Sequence, residues 1–382
     1  MNESTRNTGE CCQGSSTQKP VEQAREQQEC TCQPEEAPHW SDGSIDTPSG
    51  RILRVKTTLT PRDHLGTWMV HWGIRRMRYK ITPGLYAVGS PTQQSPVFVT
   101  ANYKMSFDRL RSQLWGRHAW ILVLDTKGVN VWCSAGKGTF GSEELMRRIQ
   151  AVRLEEIVSH RTLILPQLSA TGVSAHIVRK GNGWRVVFGP VRSEDLPRYL
   201  DAGMKATPQM RCVRFTLANR LVLIPLECVE WFKYLVLASV VFLLLSGFGT
   251  GGYSLERIQD VGLRSVLMLL IAYLAGAAFS PALLPWIPGR AFSVKGAWIG
   301  LAAVVVLIAY GLPGPGVFDN WLEAGGWLLL VPAISSFLAM NFTGASTYTS
   351  LSGVRREMRV AVPSQITATA AGIVVWVVGR FM

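Results

Sequence analysis

Five long apolar runs toward the C-terminal end constrain this chain more than any other feature: residues 229–248, 261–284, 297–312, 321–343 and 359–381. A helix that crosses a bilayer needs about 20 predominantly apolar residues. Inside lipid the backbone must satisfy its own polar groups, so runs of this kind fold as helices. The third run reaches the required length if it extends upstream through Phe292, with Lys295 reaching back to the interface. The expectation is five transmembrane helices. No such run lies at the N-terminus, so no cleaved signal peptide is expected.

The connecting segments set an orientation. Arg290 and Lys295 follow the second run, and Arg355, Arg356 and Arg359 stand against Glu357 after the fourth. Asp319 and Glu323 follow the third without Lys or Arg, and Arg257 is balanced by Glu256 and Asp260 after the first. Positive loops stay cytoplasmic. The long N-terminal portion is therefore expected in the cytoplasm, attached to the inner membrane, with its thiols reduced. The seven cysteines are odd in number, which also argues against a disulfide framework.

Charge divides the 382 residues into three parts: net −6 over residues 1–50, +16 over 51–228 and +3 over 229–382. Residues 1–50 are rich in Gln, Glu, Ser, Thr and Pro, too polar to bury a core, and read as a disordered tail. The basic middle part suits an anionic membrane face, an acidic protein or a phosphate-bearing ligand. No motif supports nucleic acid.

Residues 51–220 alternate strand-like and helix-like stretches. Strands are expected at 97–101 (VFVTA), 119–125 (AWILVLD), 162–167 (TLILPQ) and 184–190 (WRVVFGP). Helices are expected at 106–115 with Ser106 as N-cap, at 141–152 capped by Ser142 ahead of Glu143 and Glu144, and at 192–203. That alternation implies a doubly wound α/β domain with a parallel or mixed sheet, followed by an all-α membrane domain over 221–382. Ligands of such sheets bind past the carboxyl ends of the strands. Thr100–Ala101–Asn102 and the segment NVWCSAGKG (130–138) both fall at such ends.

That segment carries the chemistry. If it is helical, Cys133, Gly136 and Lys137 share a face at i, i+3 and i+4. A glycine beside the sulfur leaves a flat spot where a planar macrocycle can approach and take the thiolate, a soft donor that suits late transition metals. A helix N-terminus and Lys137 would favour the thiolate. The competing reading is a packed core cysteine beside turn glycines. The residues alone leave both open.

The stretch ILVLDTKGVNVWCSAGKGTFG (121–141) closely resembles the corrinoid-binding domain of the microbial mercury-methylation (HgcA) family, whose hallmark Asn-Val/Ile-Trp-Cys-Ala/Ser-Ala-Gly-Lys is matched at every position of 130–137. The resemblance runs from about Trp72 to Ala202, through WGIRRMRYKITPGLYAVGSP (72–91) and VFVTANYKMSFD (97–108), and the five-helix membrane part fits the family's layout. A related domain occurs in the large subunit of the corrinoid iron–sulfur protein of acetyl-CoA synthesis. The resemblance implies a Rossmann-like fold that binds a cobamide, with Cys133 as lower axial ligand to cobalt. Asn130, Val131, Trp132, Ser134, Ala135, Gly136 and Lys137 would complete a cap over the corrin ring. Thr100 and Ser106, which bracket a strand-to-helix loop, are added as candidate contacts.

The resemblance further implies methyl transfer from a methyltetrahydrofolate-type donor, by way of cobalt, to mercury(II). A ferredoxin-like protein with two [4Fe–4S] clusters would supply electrons. The spacing of the cysteines in this chain suits no iron–sulfur cluster. Two alternatives stand beside this reading. One is a membrane-bound corrinoid carrier that serves another methyl acceptor. The other is a sensor or transporter with a cytoplasmic binding domain, which the scarcity of ionisable residues in the apolar runs disfavours. Cys11–Cys12 and Cys30-x-Cys32 could capture mercury, but incidental tail thiols explain them as well. The six histidines show no paired metal spacing.

Overall fold

The computed structural model describes residues 38–311, 318–342 and 351–382. Cys11, Cys12, Cys30 and Cys32, with the tail through residue 37, lie outside the described residues. So does most of the loop 312–320.

Seven strands form one sheet in the order β1-β2-β3-β5-β4-β6-β7. They are β1 (Ser41–Thr47), β2 (Gly50–Val55), β3 (Gly84–Val88), β4 (Val97–Ala101), β5 (Ala119–Leu124), β6 (Thr162–Leu165) and β7 (Arg185–Phe188). The last four run parallel, β3 is antiparallel to β5, and the hairpin β1–β2 extends the β3 edge, so the sheet is mixed. The hairpin corrects the expected tail, since residues 41–50 are ordered in the sheet. Average polarity over 1–50 concealed the anchor, Trp40, which packs edge-on against Tyr86 and Phe107 at 5.6 and 5.4 Å.

Helices cover both faces, and the central parallel strands β4 and β5 are buried at every position. Val97, Val99, Leu122 and Leu163 point into one core cluster with α3 (Val131–Lys137), α4 (Ser142–Ala151) and α5 (Ala175–Asn182). Phe98, Ile121 and Ile164 point into the other with α2 (Lys104–Ser112) and α6 (Leu196–Asp201). From β4 the chain steps to β5, then returns past β4 to β6. The reversal opens a crevice at the carboxyl ends of β4 and β6.

Several boundaries shift from expectation. The N-cap of α2 is Tyr103, and Ser106 is the third helical residue. Gly141 precedes α4, and the Ser142 hydroxyl instead accepts from the Ser174 N–H at 2.9 Å. The segment 192–203 splits into a 3₁₀ turn and α6. Two longer helices were not anticipated, α5 and α1 (Pro61–His71), the latter started by a capping box in which Thr60 and Asp63 bond each other's backbone N–H. Its exposed Leu65 and Trp68 hid the helical pattern.

A buried four-charge network fixes α1 to α2. Lys104 Nζ lies 2.5 Å from Asp63 and 2.6 Å from Asp108, and the Arg111 guanidinium lies 2.8 Å from each of the same carboxylates. Two positive and two negative groups share one site, so none is left uncompensated.

Five helices are long and apolar enough to cross a membrane: Leu217–Ser246, Leu255–Leu283, Phe292–Tyr310, Trp321–Asn341 and Ser352–Val378. The third includes Lys295, whose ammonium donates to the Leu284 carbonyl at 2.6 Å. Arg355, Arg356 and Arg359 stand in the first turns of the fifth rather than in a loop. Leu284, Phe292 and Phe342 cluster with Phe215 and Leu223. The ends of the second and fourth helices and the start of the third therefore gather where the chain leaves the α/β domain.

Candidate functional site

The site starts with Asn102, just past the carboxyl end of β4 and 2% exposed. Its Oδ1 accepts from the Thr126 N–H at 3.2 Å, the Thr126 hydroxyl at 2.9 Å and the Gly128 N–H at 2.9 Å. One side chain thus holds the turn after β5. At the turn Lys127 sits 2.8 Å from Asp125, and this ammonium, as hydrogen-bond partner, holds the carboxyl below its usual range. The next residues lead straight into α3.

Asn130 is the N-cap of α3, accepting from the Cys133 N–H at 2.9 Å. Gly138, at φ 82°, ends the helix in the left-handed conformation that glycine adopts without strain. Between these caps the seven residues divide by face. Val131, Ser134 and Ala135 are buried, and the Ser134 hydroxyl is spent on the carbonyls of Asn130 and Val131 at 2.6 and 3.0 Å. Their part is to seat the helix. Cys133 is half-buried on the other side, with Gly136 and Lys137 exposed beside it. A Cβ built on Gly136 meets nothing within 4 Å. Beneath the helix, a Cβ on Gly172 would lie 2.9 Å from the Cα and carbonyl oxygen of Ala135, so Gly172 lets the helix settle onto the 3₁₀ turn Gln167–Thr171.

Alongside α3 lies a cavity of about 490 Å³ at the carboxyl ends of β4, β6 and β7. Thr100, Ser106, Asn130, Val131 and Trp132 line it, whereas Cys133 does not. The expected site residues are therefore gathered around one helix but presented to two spaces, the cavity and the open face. The cavity lining is mostly apolar and includes Val222, Leu223 and Leu226 from the first long apolar helix. His71, Arg76 and Arg109 add polar groups to the lining. Burial, then the neighbouring Arg109 and Arg76 charges, push the His71 imidazole below its ordinary value.

Sequence reading did not single out Asn102 as a site residue, although it noted the strand end that carries it. Gly172 and the His71–Arg76–Arg109 lining had no local signal, because tertiary packing alone brings them here. Among the described residues no group of three or more His, Cys, Asp or Glu could hold a metal ion. A metal at Cys133 would therefore bring most of its ligands with it, as a macrocyclic cofactor does.

Fold and site together define a mixed-sheet α/β domain that presents a thiol on a short, flat-faced helix and continues into several long apolar helices. Residues 75–200 match the family described as CO dehydrogenase/acetyl-CoA synthase delta subunit (CdhD). The chain is 33% identical over 128 residues to the acetyl-CoA decarbonylase/synthase complex subunit gamma of Archaeoglobus fulgidus, covering 33% of this chain and 27% of that protein. It is 34% identical over 124 residues to the same subunit of Methanopyrus kandleri, covering 32% and 26%, and 31% identical over 122 residues to that of Methanocaldococcus jannaschii, covering 31% and 25%. The chain thus spans about a quarter of the length of these relatives. The relation to proteins of acetyl-CoA synthesis, expected from the sequence, holds across this stretch.

Proposed function

We propose that this chain is a membrane-anchored corrinoid-dependent methyltransferase that passes a methyl group from a methyltetrahydrofolate-type donor to mercury(II). The observation that carries the reading is the open face of α3, where the half-buried Cys133 stands beside a glycine with empty space above it. A cobamide fits these residues. Cys133 supplies one soft donor, Gly136 leaves the backbone bare for a flat ring, and the apolar cavity adjoining Asn130 and Trp132 suits a smaller appended part of the same cofactor. When bound, the cobalt carries the methyl group between donor and acceptor.

The protein's own residues do the positioning. Asn130 holds the Cys133 backbone, and Asn102 holds the turn that delivers Asn130. Ala135 and Gly172 fix the height of the helix over the sheet. Lys137 places a positive charge on the open face. Cys133 would hold the metal of such a cofactor through its sulfur, and an electron-rich thiolate donor there would favour methyl release toward an electrophile such as mercury(II).

Family relatedness over residues 75–200 supports the corrinoid part of the proposal. The match of 130–137 to the mercury-methylation hallmark supports the acceptor. Electrons would come from a ferredoxin-like protein with two [4Fe–4S] clusters. The gathering of the ends of the second and fourth apolar helices beside the α/β domain supports a cytoplasmic site on a five-pass membrane protein.

The test is methylmercury production by anaerobic cells expressing the full chain with its electron-transfer partner. Wild type should produce methylmercury, and Cys133→Ala should produce none. Mercury methylation that survives in Cys133→Ala would remove the thiolate from the mechanism. A cobalt-loaded protein that methylates no mercury would favour the carrier with another acceptor.

A further inference from the structure

The segment 61–80, comprising α1 and the turn after it, plays no direct part in the α3 site apart from the cavity wall. Its outer surface is unusual for a solvated helix. Leu65 and Trp68 are each 56% exposed and Met77 63%, with Trp72 and Ile74 also exposed. Leu65, Trp68 and Trp72 fall on one side at i, i+3 and i+7. The two indole rings lie 5.9 Å apart. The opposite side, through Asp63, Gly66 and Val70, packs inward. Arg62, Arg75, Arg78 and Lys80 are exposed among the apolar side chains. The one acid of the segment, Asp63, is consumed in the buried ion network.

This surface adjoins the first apolar helix. Gly73, at φ +74°, comes so close that a Cβ there would lie 3.2 Å from Leu226 Cδ1 and 4.0 Å from Val229 Cγ1. Leu226 and Val229 lie within the helix Leu217–Ser246, where its apolar run 229–248 begins. Val229 and Phe232 are themselves exposed, as lipid-facing residues are. The tryptophans and arginines of 61–80 therefore sit level with the end of a span. Amphipathic rings and basic side chains collect at that level at the boundary between hydrocarbon and water.

We infer that residues 61–80 form a membrane-interface foot, whose Leu65, Trp68, Trp72, Ile74 and Met77 enter the headgroup layer of an anionic phospholipid leaflet while Arg62, Arg75, Arg78 and Lys80 meet its phosphates. The combination of exposed aromatic and aliphatic residues with clustered basic ones is that of interfacial helices. Anionic lipids of the cytoplasmic leaflet supply the complementary charge. The foot gives the α/β domain a second attachment beside its covalent link to the first span. Because Val70 and Arg76 line the cavity, it seats one cavity wall on the bilayer. The inference rests on the reading of the apolar helices as membrane spans and not on the cofactor.

The test is amide hydrogen exchange of the full chain in nanodiscs of phosphatidylcholine alone and of phosphatidylcholine with phosphatidylglycerol. Incorporation into discs reports on the spans, and exchange in 61–80 reports on the foot. Exchange there should slow by about fivefold or more in the anionic discs, the effect of roughly one basic side chain at a charged surface. High salt, or the double variant Arg75→Gln/Arg78→Gln, should abolish that dependence on lipid charge. Trp68→Ser/Trp72→Ser should lose protection in both discs. Equal exchange in both discs and in detergent would overturn the inference. So would protection that arises only when an acidic ferredoxin-like protein is added, which would make the face a protein-docking surface. Failure of the chain to enter discs would overturn the span reading and the foot with it.

Discussion

Asn130 Oδ1 accepts the hydrogen bond of the Cys133 N–H at 2.9 Å, so the residue that starts α3 also fixes the residue that bears the thiol. Losing such a cap costs about 1 kcal/mol. In a helix of seven residues with no other side-chain cap on that end, the loss falls on the position of the sulfur. Asn130→Ala should lower the cobalt content of purified protein several-fold while circular dichroism stays unchanged. Asn130→Asp keeps the acceptor and should retain cobalt.

Two glycines near Cys133 should respond in opposite ways. A side chain at Gly136 enters open space, so Gly136→Leu should leave the melting temperature unchanged and abolish cobamide binding. Gly172 touches the Ala135 backbone, so Gly172→Leu should destabilise the domain by overpacking, roughly 1–3 kcal/mol or more. Thermal unfolding and cobalt analysis of the two variants side by side would check this. A Gly136→Leu protein with normal cobalt would place the ring elsewhere.

The ion network predicts a stability effect at a distance from the chemistry. Asp108→Ala leaves Lys104 and Arg111 with one carboxylate between them in a dry site. Breaking a buried charge network of this kind costs about 3–5 kcal/mol. The expected result is a large drop in the unfolding midpoint of the detergent-solubilised chain. Asp108→Asn should recover part of the loss through its remaining acceptor oxygen.

Topology can be read with reporters. A fusion after Met382 should report outside and one near Ser142 inside, because five crossings from a cytoplasmic start end on the far side. An external reading near Ser142 would separate the α3 site from the cytoplasmic reductant and methyl source proposed for it.

Much of this architecture is legible in the sequence, and the exceptions have physical reasons. The parallel strands β4 and β5 are apolar apart from Thr100, so composition alone revealed them. β1 and β2 lie at the polar edge of the sheet, where only Trp40, Ile52 and Val55 join the hydrophobic core. α1 was hidden because its exposed face carries Leu65, Trp68 and Trp72, which reverses the usual inside-out pattern. Within 130–138 the spacing foretold that Cys133, Gly136 and Lys137 share a face. It could not foretell that Ser134 and Ala135 face inward, since that depends on Gly172, far along the chain. Asn102 was legible only as the end of a strand. Its grip on Thr126 and Gly128 appears once β4 and β5 are paired.

The central claim is that Cys133 is the protein ligand to a cobalt held on α3. Cobalt K-edge X-ray absorption on the purified full chain addresses it most directly, with wild type compared against Cys133→Ala. The account predicts cobalt in the wild type with a sulfur scatterer in its first coordination shell, and loss of that scatterer in Cys133→Ala. Cobalt with identical first-shell scattering in both proteins would contradict it.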